Sequence, residues 1–448
     1  SIVNNTFITY AEGNAGLKFK PSADFNGSGS LKIQASLSSS SSGLGGSQVT
    51  ATITVTAVND VPSFTKGSDI TVNEDSGASS TTNWATSISD GPSNESSQTS
   101  NFSVSNDNTS LFSSQPAINS SGKLTFSTAL DQHGSATITV SLSDNGGTSN
   151  GGVDTSPEQI FTITVDPIAD TPSITATSTL EDNITSSGLV ISRNAVDGSE
   201  VTHFKITGIT NGTLYQNNGS TSITNNEFIT FAEGNTGLKF DPDEDYYGSG
   251  FITIQASVSS SNGGLGGSTV IATVTVNPVN DEPSFEYTNV VAVNEDSGLY
   301  EASWAFNISV GPDNESDQIP TFEIISNDHE SYFSIQPSIS ELGVLTFTPA
   351  DNQHGEAIIT VRLTDNGGTE NGGDNTYDDQ TFTIKLNPIA DTPNIMDAET
   401  YEDIMSSSGL VITRNAVDSE EVTHFKITDI KNGTLYQNNG STSITNNE

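Results

Sequence analysis

Fifty-five Asp and Glu residues stand against 13 Lys and Arg, a formal charge of −42 over 448 residues, so the chemistry this chain carries is carboxylate chemistry. Carboxylates at that density either stand apart in water or share cations. Paired carboxylates can also serve a glycosidase. Here the acids gather around four short segments: VNDVPSF from 58, IADTPSI from 168, VNDEPSF from 279 and IADTPNI from 389. Their aspartates, Asp60, Asp170, Asp281 and Asp391, are spaced 110, 111 and 110 residues apart. Clusters that recur with such a period suit structural ions better than one catalytic cleft. Calcium, which takes about six to eight oxygens from carboxylates, Asn side chains and backbone carbonyls, is the ion such segments would hold.

Other chemistries find little support. There are no cysteines, which removes disulfides, thiol catalysis and Cys-based zinc sites. Of five histidines, His133 pairs with His354 and His203 with His424 as equivalents in a repeat, which reads as surface or packing histidine. No Gly-x-Ser-x-Gly sits on a strand-to-helix turn, so a serine nucleophile has no elbow. DPDEDYYG from Asp241 begins like an EF-hand loop, but its glycine comes at the eighth place, Ile252 replaces the closing glutamate, and no helices flank it. A surface this acidic repels nucleic acid and anionic membranes alike. No apolar run approaches the roughly 18 residues of a membrane helix, so no membrane insertion is expected of this segment. The expected chain is not an enzyme.

What must position the carboxylates is a repeat. SIVNNTFITYAEGNAGLKF opens the chain and SITNNEFITFAEGNTGLKF recurs from Ser222, 221 residues on. ITNGTLYQNNGSTSITNNE, ending at Glu227, returns as IKNGTLYQNNGSTSITNNE, ending at Glu448. The chain thus holds two periods plus six residues, and is expected to be a window on a longer array, with Ser1 not a natural start. Each period halves again into an A and a B repeat, each the length of one two-sheet sandwich. The expected domains are 1–57, the C-terminal part of a B repeat; 58–167, an A domain; 168–278, a B domain; 279–388, a second A domain; and 389–448, the N-terminal part of a B repeat.

SATITVSLSD, IFTITV, FITIQASV and VIATVTV alternate apolar with small polar residues, the period of half-buried strands, and Gly and Asn clusters separate them as turns. No stretch shows helical periodicity. The expected fold is all-β: tandem Ig-like sandwiches in a linear array. With strands of about 8 residues, some 27 Å long, such an array forms a rod well over 100 Å in length. Trp84 and Trp304, at equivalent places, are expected in the cores.

GKLTFSTALDQHGSATITVSLSDNGG from Gly122 and GVLTFTPADNQHGEAIITVRLTDNGG from Gly343 carry, in order, a Gly-x-Ile-x-Thr-like strand, a Leu-Asp-x-Glu-like turn, an alternating strand and an Ala-x-Asp-x-Gly-like end. In this the A repeats resemble the cadherin-like tandem repeats of large bacterial surface and adhesin proteins, and more distantly cadherins themselves. The B repeats also resemble those of chondroitin sulfate proteoglycan-type proteins, in NGTLYQNNG and FAEGNTGLKFDPDEDYYGSG. The resemblance implies calcium at the domain junctions, rigidifying a rod.

In a sandwich with its termini at opposite ends, the first strand runs to the next junction and the loop before the last strand returns to the preceding one. Glu74, Asp75 and Asp131 are therefore expected to meet Asp170, while Asp90, Glu95 and Asp144 face Asn59 and Asp60. Likewise Glu295, Asp296 and Asp351 look forward to Asp391, and Asp313, Glu315, Asp317 and Asp365 back to Asn280 and Asp281. The junction at 279–281 also draws on Glu181, Asp182, Asp243, Glu244 and Asp245; the earlier copy of that acidic stretch, KPSADFNG, keeps only Asp24. His133 and His354 stand where the turn's glutamate belongs, and serines replace Asp-x-Gly in B. About one or two ions are expected at junctions leading into A repeats, and the poorest sites at those leading into B.

The function expected is that of a repeat segment of a giant extracellular adhesin or surface filament, a calcium-stiffened stalk for cell adhesion. Its partners would be calcium and further copies of the repeat. The alternatives are repeats that assemble with neighbouring chains into an extracellular fibre, or that themselves bind polysaccharide, such as cell-surface glycans, or a sister chain.

Overall fold

Alternation in SATITVSLSD puts Ala136, Ile138, Val140 and Leu142 on one face of the strand Gly134–Ser143, and all four are at most 1% exposed. Burying each of the larger side chains contributes about 1.5–3 kcal/mol. The same pattern recurs in the long strands between 63 and 387 of the computed structural model, which describes residues 1–418 and 420–446. Ser419 and the last two residues of the 389–448 segment lie outside the described residues.

Between 63 and 166 a four-stranded sheet runs Ile70–Asn73, Gln159–Asp166, Gly134–Ser143, Asn101–Asn106. The first pairing is parallel and the others antiparallel. Facing it are Ala78–Thr81, Leu124–Thr128 and Phe112–Ile118, with Ser63–Thr65 paired to Thr86–Ser89. Trp84 fills the space between, its ring centroid 4.2 Å from that of Phe161 and its indole N–H donating to the Ser68 carbonyl at 3.0 Å. Residues 284–387 repeat this layout, with Trp304 against Phe382 at 4.3 Å. The chain is thus a tandem array of all-β sandwiches.

The B repeat is complete once. Its larger sheet has five strands, in order Thr177–Leu180, Leu265–Asn277, Gly248–Ser257, His203–Thr210 and Phe228–Thr230. Ser222–Ile223, Gly212–Tyr215 and Lys239–Pro242 form the smaller one. Among the described residues, two short α-helices interrupt the β-structure, Tyr10–Asn14 and Phe231–Asn235, beside several 3-10 turns. They are too short for helical periodicity, and are held by capping boxes in which Thr9 with Glu12, and Thr230 with Glu233, satisfy each other's backbone N–H groups.

One feature of this topology positions the acids. In each complete sandwich the first long strand is parallel to the last, so both deliver their ends to the same junction. Asn73 pairs with Asp166, Leu180 with Asn277 and Asn294 with Asn387. The residue after each first-strand end is a glutamate, which therefore arrives beside the chain leaving the domain.

Candidate metal centres at the domain junctions

Glu74, Glu181 and Glu295 are all buried, and each accepts a hydrogen bond from the departing backbone: from Ile168 N–H at 2.7 Å, from Val279 N–H, and from Ile389 N–H at 2.8 Å. The next residue, Asp75, Asp182 or Asp296, turns the chain in the left-handed region, with φ between 55° and 58°. Asp and Asn tolerate that region because their short polar side chains bond locally. A second left-handed residue then docks onto the first. Asp131 N–H donates to Asp75 Oδ1 at 3.0 Å, Asp245 N–H to Asp182 at 3.0 Å, and Asn352 N–H to Asp296 at 2.9 Å.

Among the described residues, two carboxylate triads result. Asp75, Asp131 and Asp170 meet at the junction leading into the B repeat, and Asp182, Asp245 and Asp281 at that leading into the second A domain, each with one ligand atom per residue within 4.8 Å of the others. At such a spacing two charges repel by roughly 3 kcal/mol at an effective dielectric near 20. Burial, then the neighbouring carboxylates, raise the Asp170 and Asp281 carboxyls above the ordinary Asp range. Glu181 is raised too, mainly by burial, against the lowering effect of its Val279 hydrogen bond.

Behind each junction leading into an A domain stands a second acidic shell. Asn280 Nδ2 donates to Asp365 Oδ1 at 3.1 Å and its Oδ1 accepts from Gln318 at 2.7 Å, while Asp281 N–H donates to Glu315 at 3.2 Å. Asn314 Nδ2 reaches back across the junction to Glu181 Oε2 at 3.1 Å. The first A domain repeats this with Asn59 on Asp144 at 2.8 Å, Gln98 on Asn59 at 2.8 Å, and Asp60 N–H on Glu95 at 3.0 Å. Only glycine fits where these loops close: a Cβ on Gly367 would lie 1.6 Å from Asn280 Oδ1, and one on Gly146 1.7 Å from Asn59 Oδ1.

The donor set fits a hard cation. Among the described residues, the buried side-chain oxygens without a hydrogen-bond partner include Asp90 Oδ1, Gln98 Oε1, Asp144 Oδ2, Asp281 Oδ2, Asn314 Oδ1, Gln318 Oε1, Asp365 Oδ2 and Asp418 Oδ2. All eight lie at junctions, seven of them at the two leading into A domains. Leaving a buried acceptor unpaired costs about 1–3 kcal/mol, more for a charged one. Carboxylate and amide oxygens without protons to share are what calcium coordinates.

Several expected residues sit elsewhere. Asn352, not Asp351, occupies the place of Asp131 in the second A domain; Asp351 stands exposed one residue earlier. Asp243, Glu244, Asp313 and Asp317 point outward, as does Asp24. Asp90 is half-buried beside the first A domain's shell, and Val310 takes its place in the second.

Others went unread in the sequence. Asp197 accepts from Asp170 N–H at 3.1 Å and Asp418 from Asp391 N–H at 2.9 Å. Burial and then the Asp418 charge raise Asp391. Both partners lie in the recurring AVDGSE and AVDSEE, a periodic acid that could have flagged them. His133 Nδ1 lies 3.5 Å from Glu74 and His354 Nδ1 3.4 Å from Glu295, so these histidines line the junctions.

No protein-family model and no curated protein matches the chain. Among solved structures it is similar to the human desmocollin-1 ectodomain, at 16% identity over 81% of this chain and 69% of that one, with a TM-score of 0.32. It is also similar to the extracellular cadherin domains 3–6 of protocadherin gamma B2, at 16% identity over 76% of this chain and 77% of that one, TM-score 0.40. A third is mouse protocadherin-24 EC1-3, at 15% identity over 73% of this chain and the whole of that one, TM-score 0.35.

Proposed function

We propose that this chain is a segment of an extracellular, adhesion-type stalk whose sandwich domains are locked into a stiff rod by calcium held at the junctions, and that it catalyses no reaction. The buried junction oxygens that no protein donor reaches carry this reading, because a cation compensates carboxylate and amide acceptors gathered in one place. Calcium supplies positive charge shared among carboxylates of adjacent domains. At the junction leading into the second A domain, Asp182 and Asp245 come from the B repeat, Asp281 from the linker, and Glu315 and Asp365 from the A domain. Ligands from both sides of a hinge make its angle part of the binding geometry. Recurrence of acidic clusters from junction to junction suits a mechanical role over a single catalytic site.

Small-angle scattering of the chain, first with calcium and then with chelator, tests the reading. The expected result is a longer maximum dimension and a rod-like profile with calcium, and a shorter, more flexible one after chelation. Superimposable profiles overturn it.

A further inference from the structure

The junctions at 168–170 and 279–281 gather equal numbers of carboxylates, yet hold them in different states. Around the first stand Glu74, Asp75, Asp131, Asp170, Asp197 and Glu200. Around the second stand Glu181, Asp182, Asp245, Asp281, Glu315 and Asp365. Charge count therefore does not separate them. The difference lies in which oxygens already have donors.

At 279–281, Asp281 Oδ2, Asn314 Oδ1, Gln318 Oε1 and Asp365 Oδ2 are buried and accept nothing. Asp365 is only 6% exposed, and its other oxygen is fixed by Asn280 Nδ2 at 3.1 Å and Gly367 N–H at 2.9 Å. The free oxygen is thus held in place beforehand, and a cation meeting these atoms displaces no protein donor. The junction at 58–60, also leading into an A domain, repeats the pattern with Gln98 Oε1 and Asp144 Oδ2.

At 168–170 no carboxylate or amide oxygen among the described residues is buried without a donor. Glu200, from the B repeat, accepts from Gly198 N–H and faces His133 Nε2 at 3.8 Å. The same imidazole presents Nδ1 to Glu74 at 3.5 Å, so it stands between acids of the two domains. An ion arriving here competes with that ring for its ligands. At equal ligand charge, calcium affinity follows how rigidly and how completely the oxygens are offered.

We propose that the junctions load in sequence: those leading into A domains fill first, and the one at 168–170 only at higher calcium. Between the two levels the chain is a set of stiff B–A pairs joined by loose A-to-B hinges, and it becomes one rod when both have filled. Calcium would then set the number of working hinges as well as their stiffness. This rests on the reading of calcium as the junction ion.

Hydrogen exchange of the full chain, followed segment by segment along a calcium series at constant pH and salt, tests the order. The amides of Val279 and Asp281 bond to Glu181 and Glu315, and those of Ile168 and Asp170 to Glu74 and Asp197, so each pair reports on its own junction. Protection at 279–281 is expected at calcium about tenfold lower than at 168–170. Asp365→Asn keeps an acceptor for Asn280 and Gly367 while removing the charge, and should raise the 279–281 midpoint alone. Asp131→Asn copies what Asn352 supplies in the second A domain, so the fold accepts it, and should raise the 168–170 midpoint alone. Coincident midpoints, or the reverse order, overturn sequential loading and leave calcium as the junction ion. Protection by calcium at neither junction overturns both readings together.

Discussion

Asp131 and Asn352 share one conformation, φ 55° in both, and one hydrogen bond, to the aspartate of the preceding Glu-Asp turn. They differ by a charge. The junction after the first A domain therefore carries a carboxylate triad, and the one after the second has an amide at that point. Asn352→Asp is expected to strengthen calcium binding there by several-fold, whereas Asp351→Asn leaves it unchanged; calorimetric titration distinguishes the two. At the 279–281 junction, Asp281→Asn with Asp365→Asn should weaken calcium binding by at least about tenfold, or about 1.4 kcal/mol, without unfolding either neighbour. Retained affinity would show that these oxygens are not ligands. Matching LDQH to ADNQH by its letters points to Asp351, while counting back two residues from His133 and His354 reaches Asp131 and Asn352. The spacing held the answer; the motif's letters obscured it.

At the scale of elements, two devices place these residues. One is the parallel pairing of first and last strands, whose side alternation is plain in the sequence but whose direction is not. The other is the local turn, illustrated away from the junctions by the helix Phe231–Asn235. Thr230 N–H donates to Glu233 Oε2 at 2.7 Å and Glu233 N–H to Thr230 Oγ1 at 3.3 Å, while Gln216 ties the carboxylate to the neighbouring hairpin at 2.8 Å. The Thr-x-x-Glu signature of this box was there to read, and the absence of helical periodicity hid a single turn. Hydrogen bonds from Thr230 hold the Glu233 carboxyl below its ordinary value of 4.5. Because the folded value is the lower one, this group stabilises the fold above about pH 4.5, and the contribution is lost as pH falls through the folded value. Urea unfolding should show Thr230→Ala destabilised by about 1 kcal/mol at pH 7. The gap between Glu233→Gln and the parent should narrow as pH drops below 4.5. A constant gap would mean that the carboxylate's charge is irrelevant to the cap.

Across the whole molecule, a formal charge of −42 sets the balance between repulsion and ion binding. Raising monovalent salt from about 0.1 to 1 M shortens the screening length from about 10 to 3 Å. In chelator this should raise the calorimetric Tm, since only repulsion is being screened. In calcium the same salt should shrink the increment that calcium adds. If salt lowers the Tm in chelator, repulsion between junction carboxylates is not what calcium relieves.

Period-two alternation, turn residues and a 221-residue repeat were enough to read the all-β class and the tandem order, and to single out the stations at Asp60, Asp170, Asp281 and Asp391 as expected junctions, because each is a local pattern or a count. Which acids meet at those stations was a tertiary decision. Glu74 and Ile168 are 94 residues apart and touch only because two strands run parallel, and Asp197 reaches Asp170 only through the folding of the next domain. Strand order was decided in the same way, since alternation marks the residues that face the core while a β-strand's partner is specified by the fold and not by the strand.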